Sequence, residues 1–445
     1  MAEFKLLING SMVAGDSTMQ VVNPATEEPV ATCARASVAQ LDQAVAAAKA
    51  AFPAWSKTPI DERRKALIAM ADAIQANIPE LARLLTQEQG KPLEAAMGEI
   101  FGASAFFRYF ASLDLPARVI QDTAEGKIEI RRKPLGVIGA IVPWNFPIIL
   151  MAFKVPAALL AGNTIVLKPA ATTPLTTLRI AELVKDLLPP GVLNVIADAN
   201  DPGAAITSHP DIRKISFTGS TETGKRVMAG AASALKRVTL ELGGNDAAIV
   251  MGDVDPVVTA PKIFNAAFQN SGQVCIAAKR IYVHESIYDA MCDELAKLAD
   301  AAVVGDGLEQ GTQFGPLQNK AQFDKVLGYI ETGRRDGKII AGGHRQGDKG
   351  YFIRPTIVRD ITDGSALVDE EQFGPVLPII KYAPTRRTMA WADRSGPQAE
   401  TRPGSWPRAW SPAPSGSTST PTCSLTCPSA APSSPAWAAN WARRA

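Results

Sequence analysis

Between Ile141 and Val250, short runs that are apolar along their whole length, such as "TIVLK", "VLNVI" and "KISFTG", alternate with segments of helical spacing. A strand with no polar alternate positions has both faces covered, and parallel neighbours need a crossover long enough to hold a helix. The alternation predicts a doubly wound, mostly parallel α/β sheet, whose ligands bind beyond the carboxyl ends of the strands. Just upstream, "GKIEIRRKPLGVIGAIVPW" passes from period-two alternation to a continuous apolar run, as an exposed ribbon leading into a buried strand would. Residues 38–113 are Ala-rich with apolar positions three or four apart, which predicts packing helices. After "LELGGN" a second α/β lobe is expected, with a helix through "ESIYDAMCDELAKLADAAV" and a Gly-rich stretch near "IIAGGHRQGDKGYF".

A chain of 445 residues that is 46% apolar can build two or three cores. Its net charge of +2, without a basic run interleaved with aromatics, argues against a nucleic-acid partner. The N-terminus "MAEFKLLING" lacks the basic-then-apolar order of a signal peptide, and no run of 18 apolar residues occurs, so no membrane partner and a cytoplasmic location are expected. Five cysteines, odd in number and mostly scattered, point to free thiols. Three histidines, far apart in sequence, give no metal cluster, and "TPTCSLTCP" lacks a second ligand pair, so no metal is expected.

"ISFTGSTETGKRV" opens like a phosphate-binding loop, with Gly219, Gly224 and Lys225 spaced as in a Walker A sequence. Arg226 stands where a Mg²⁺-ligating hydroxyl is required, which removes the ATP reading, and Thr221 breaks the G-x-G-x-x-G dinucleotide pattern. Four other positions carry chemistry. Cys275 in "QNSGQVCIAAKR" follows a Gly-containing turn and is either a nucleophile or a small buried apolar residue. Glu241 in "TLELGGN" is either a solvated strand end or a carboxylate beside a ligand approached by backbone. Asn145 in "VPWNFP" sits in a segment too apolar for an ordinary surface loop and is either a structural turn residue or a donor to substrate. Lys168, ending "VLKPA", is either a solvated end or a contact to ribose or phosphate.

In order, "VPWNFP", "LKPA", "FTGSTETG", "LELGGN", "GQVC", "FGPL" and "EEQFGP" resemble the elements of the aldehyde dehydrogenase superfamily, over about Phe4 to Tyr382. The resemblance implies a Rossmann-type cofactor domain (1–117 and 137–241), an oligomerisation β-ribbon (118–136) and an α/β catalytic domain (242–383). It implies that Cys275 attacks the aldehyde, that Asn145 and the Cys275 N–H hold the oxyanion, and that Glu241 is the base for hydrolysis of the thioester. Ile141, Trp144, Lys168, Ala171, Gly219, Ser220, Gly224, Leu242, Glu371 and Phe373 fall where that family holds its dinucleotide. The cofactor expected is NAD. NADP is admitted because Ala171 replaces the glutamate that binds the ribose diol in NAD-strict members. Phe107, Phe146, Leu150, Phe153 and Phe268 fall at the substrate tunnel, equally readable as core packing, and suggest an uncharged aliphatic or aromatic aldehyde. Arg108 is expected in a structural ion pair.

The last 62 residues hold five of seven tryptophans and ten of 33 prolines, but no Val, Ile, Phe or Tyr. The family's closing segments are absent from residues 384–445. Reading Pro412–Thr420 in a shifted frame with permitted synonymous codons gives "GTVWINQH", and Cys427 to the end gives "PFGGAKQSGLGRELGEEG", both family-like. An indel near Ala383–Arg387 follows as a hypothesis. An intact C-terminus would make a homodimer or homotetramer, whereas the altered one leaves open an impaired, non-catalytic pseudo-enzyme.

Overall fold

The computed structural model describes residues 4–200 and 203–383, and expectations placed on residues 384–445 lie outside the described residues. The chain divides into two compact units, which meet in sequence between Leu242 and Gly243.

The first unit opens with β1 (Leu6–Ile8), β2 (Ser11–Val13), β3 (Ser17–Val22) and β4 (Pro29–Arg35). Helices α1 (Val38–Trp55), α2 (Ile60–Ala76), α3 (Ile78–Gln89) and α4 (Leu93–Ala111) fill the Ala-rich region. A capping box starts α1, in which Ser37 and Gln40 satisfy each other's backbone N–H groups, and Leu41, Ala44, Val45 and Ala48 turn inward at helical spacing. Gly90, at φ 96°, ends α3 in the left-handed conformation that glycine adopts without strain. The ribbon follows as β5 (Arg118–Thr123) and β6 (Gly126–Ile130), an antiparallel pair with Val119, Ile120, Ile128 and Ile130 about half exposed.

Next come β7 (Val137–Ile141), α5 (Pro147–Ala152), α6 (Val155–Leu160), β8 (Thr164–Lys168), α7 (Leu175–Val184), β9 (Leu193–Val195), α8 (Gly203–Ser208), β10 (Ile212–Thr218), α9 (Thr221–Ala232) and β11 (Arg237–Glu241). They build a seven-stranded sheet in the order β11-β10-β7-β8-β9-β1-β2. The five strands from β11 to β9 run parallel, and β8 is buried at every residue, as its unbroken apolar run requires. Chain order runs β7-β8-β9 in one direction and β10-β11 in the other, so the sheet reverses beside β7. That reversal opens the crevice in which such sheets bind ligands.

The second unit contains β12 (Asp246–Val250), α10 (Pro256–Phe268), β13 (Ala278–His284), α11 (Tyr288–Ala301), α12 (Lys320–Asp336), β14 (Lys338–Ala341), β15 (Thr356–Arg359), α13 (Ala366–Asp369) and β16 (Val376–Tyr382). Its five-stranded sheet, β12-β13-β16-β15-β14, is parallel except for the β14–β15 pair. Ile281, Val283, Leu295, Leu377 and Ile379 are at its core.

Candidate active site

In the first unit, strand register brings the expected residues to one edge. Ile141 pairs with Lys168, Phe217 with Ile141, and Thr218 with Glu241, so β7, β8, β10 and β11 deliver their last residues side by side. Gly219 N–H donates to the Glu241 carbonyl at 3.0 Å, which ties the turn after β10 to the end of β11. Ser220 then caps α9, its Oγ accepting from Thr223 N. A Cβ on Gly224 would lie 2.5 Å from Leu242 Cδ2, so glycine lets the helix settle against the chain leaving β11. Lys225 pairs with Glu222 at 2.7 Å as an ordinary exposed helix residue. An amide-rich helix start beside parallel strand ends, with no side chain at Gly219, suits a pyrophosphate.

Asn145, 3% exposed, lies between β7 and α5 on a loop anchored by an ion pair that the sequence did not disclose. Lys91 and Glu99, both buried, pair with each other, and Lys91 Nζ donates to the Asn145 carbonyl at 3.0 Å. Glu99 Oε1 accepts from Ile148 N at 2.9 Å and Ile149 N at 3.2 Å, satisfying N–H groups that α5 cannot pair internally. The Lys91 ammonium also lies 3.8 Å from the Phe146 ring centre.

Lys154 is a second such residue. Its ammonium is buried, donating to Thr218 Oγ1 at 2.8 Å and Ser216 Oγ at 3.3 Å. Desolvation pushes its pKa down to about 7, opposed by the charge of Glu241. Lys168 is not a solvated strand end: it is 3% exposed and paired with Asp198 at 2.8 Å. Trp144, Ala171 and Glu241 are half-buried.

In the second unit, Cys275 follows Asn270, Ser271 and Gly272, which take φ values of 50°, 55° and 74°. Two consecutive non-glycine residues in the left-handed region need external support. Ser271 Oγ supplies it by donating to Gly315 O at 2.7 Å, and Gln273 Oε1 accepts from Gln318 N at 2.9 Å. The "FGPL" motif thus buttresses the cysteine loop. Cys275 is half-buried, while Cys33 and Cys292 are buried. Burial raises the Cys275 pKa, and the nearest opposing influence is the ammonium of Lys279, whose own pKa burial lowers to about 8. Lys279 donates to the Val274 carbonyl and lies 5.1 Å from the Phe373 ring centre. Glu371 Oε1 accepts from Gly244 N at 3.3 Å, and Gln322 Nε2 donates to the Gln372 and Phe373 carbonyls, fixing the "EEQFGP" segment.

The expected tunnel residues separate. Phe146, Leu150 and Phe153 are half-buried, with Phe153 edge-on to Phe106 at 4.5 Å. Phe107 and Phe268 are buried, at 0% and 1% exposure. The void beside Phe107 is about 10 Å³, no larger than a water needs, and Phe268 packs on Phe264 at 4.6 Å. Arg108 pairs with Asp72 at 2.6 Å.

Among the described residues no His, Cys, Asp and Glu group could hold a metal, and no helix is long and apolar enough to cross a membrane. The aldehyde dehydrogenase family model matches residues 12–396. A probable aldehyde dehydrogenase from a Pseudomonas species is 45% identical over 381 residues, covering 85% of this chain and 78% of the relative. Succinate-semialdehyde dehydrogenase of Arabidopsis thaliana mitochondria is 41% identical, covering 82% of this chain and 71% of the relative. The NAD⁺ complex of a Bacillus cereus aldehyde dehydrogenase superposes with a TM-score of 0.85 at 38% identity, covering 88% of this chain and 82% of that one. The chain belongs to the aldehyde dehydrogenase family. Its reaction is the oxidation of an aldehyde with hydride transfer to NAD(P). Nothing in these relatives favours a non-catalytic pseudo-enzyme.

Proposed function

We propose that Cys275 is the nucleophile, Asn145 with the Cys275 N–H the oxyanion donor pair, and Glu241 the base. The carrying observation is that Cys275 is the sole half-exposed thiol among the described residues, whereas burial pushes both Cys33 and Cys292 up to about 12. A thiol whose pKa is itself raised needs help to ionise, which a carboxylate base and the Lys279 ammonium provide. Attack on the carbonyl carbon forms a C–S bond and places negative charge on oxygen, where preorganised amide N–H groups stabilise it. Ile141, Trp144, Lys168, Ala171, Gly219, Ser220, Gly224 and Leu242, with Glu371 and Phe373, would hold the dinucleotide, which would supply the acceptor for the departing hydride. Glu241 then takes a proton from the water that cleaves the thioester to acid and free thiol.

We take the cofactor to be NAD, the location cytoplasmic, and the substrate an uncharged aldehyde held by Phe146, Leu150 and Phe153. The β5–β6 ribbon suits pairing with a neighbouring subunit, since four large apolar side chains on it face solvent. The indel hypothesis is tested by resequencing the codons for 383–387, and an intact frame there would refute it. Cys275→Ala is expected to abolish aldehyde-dependent NADH formation over an aldehyde panel. Formation of acyl-CoA without free acid in a CoA-supplemented assay would replace hydrolysis with acyl transfer.

A further inference from the structure

Ala171 offers no carboxylate to a ribose diol, so the charge around Lys168 decides whether a 2′-phosphate is accepted. Lys168 Nζ lies 2.8 Å from Asp198 Oδ1 and 3.0 Å from Asn200 Oδ1. Both ends of the Lys168–Asp198 pair are buried, the side chains being 4% and 0% exposed. Asp198 Oδ1 also accepts from Asn200 N at 2.8 Å, whereas its Oδ2 is buried with no hydrogen-bond partner among the described residues. The ammonium thus spends two of its three donors on Asp198 and Asn200, and a carboxylate oxygen with no hydrogen-bond partner stands beside it. A 2′-phosphate brings roughly two negative charges. Brought to Lys168, it would sit beside the buried Asp198 carboxylate, which already claims the ammonium, and the like charges would repel. A 2′-hydroxyl brings no such charge.

We infer that Asp198, by holding Lys168 in a buried ion pair, makes the dinucleotide site of this chain select NAD over NADP. This rests on the assignment of the crevice at β7 and β8 as that site, and it moves cofactor choice from position 171 to position 198. The test is equilibrium titration of the full-length protein with NADH and with NADPH, read by nucleotide fluorescence and requiring no turnover. Wild type is expected to bind NADH at least about tenfold tighter than NADPH. Asp198→Ala and Asp198→Asn should each narrow that ratio about fivefold or more by strengthening NADPH binding. Adding Lys168→Met to Asp198→Ala should erase the gain. If Asp198→Ala does not fold, the near-isosteric Asp198→Asn carries the test. Equal wild-type affinities, or an unmoved ratio in the folded variants, would overturn the role of Asp198 alone. Binding of neither nucleotide to wild type would overturn the site assignment with it.

Discussion

Lys279 is the residue most closely tied to the reactivity of Cys275 among those the sequence did not single out. Its ammonium favours the thiolate, and because its own pKa is about 8, that help fades as the pH rises above 8. Lys279→Met is expected to move the alkylation profile of Cys275 to higher pH and slow its iodoacetamide reaction at neutral pH several-fold, measured on the isolated peptide by mass spectrometry. An unchanged profile would remove Lys279 from thiol activation. Cys275, Glu241 and Asn145 stand out as candidates because each stands in a short motif with glycine or proline around it. Lys91, Glu99, Lys154, Lys279 and Asp198 were not. A single charge within an otherwise apolar or helical run carries no periodic signal, and its partner lies 5 to 64 residues away in the pairs seen here.

At the scale of elements, the four Ala-rich helices and the buried strands follow from spacing and from unbroken apolar runs, and the ribbon from the change of period. Their mutual placement depends on buried carboxylates that cap helix starts. Glu99 holds α5, and Lys91→Met, which strands that carboxylate, should cost about 3–5 kcal/mol in urea melts. Glu88 does the same for α7, accepting from Leu175 N at 2.7 Å and Thr176 N at 2.9 Å. Burial nonetheless raises its pKa from 4.5 to about 7. The folded state then binds more protons than the unfolded state between these values, so this group's contribution falls as pH rises from 4.5 to 7. Glu88→Gln should flatten that slope by about 3 kcal/mol over the window, followed by denaturant midpoints against pH. A slope equal to wild type would show that Glu88 does not titrate there.

For the whole molecule, the ribbon is the feature that the fold of one chain leaves unexplained, since Val119, Ile120, Ile128 and Ile130 stay about half exposed. Replacing Ile128 and Ile130 together by Asp is expected to shift sedimentation velocity toward a smaller species, and identical profiles would place any subunit contact elsewhere. The central claim is that Cys275 is the nucleophile and Glu241 the base. Its most direct test is to mix the protein with NAD⁺ and an aldehyde, quench in acid before turnover completes, and map covalent mass by peptide mass spectrometry. An acyl group on the Cys275 peptide, accumulating further in Glu241→Gln, is the predicted result. NADH formation with no adduct at Cys275, or undiminished in Cys275→Ala, would contradict it.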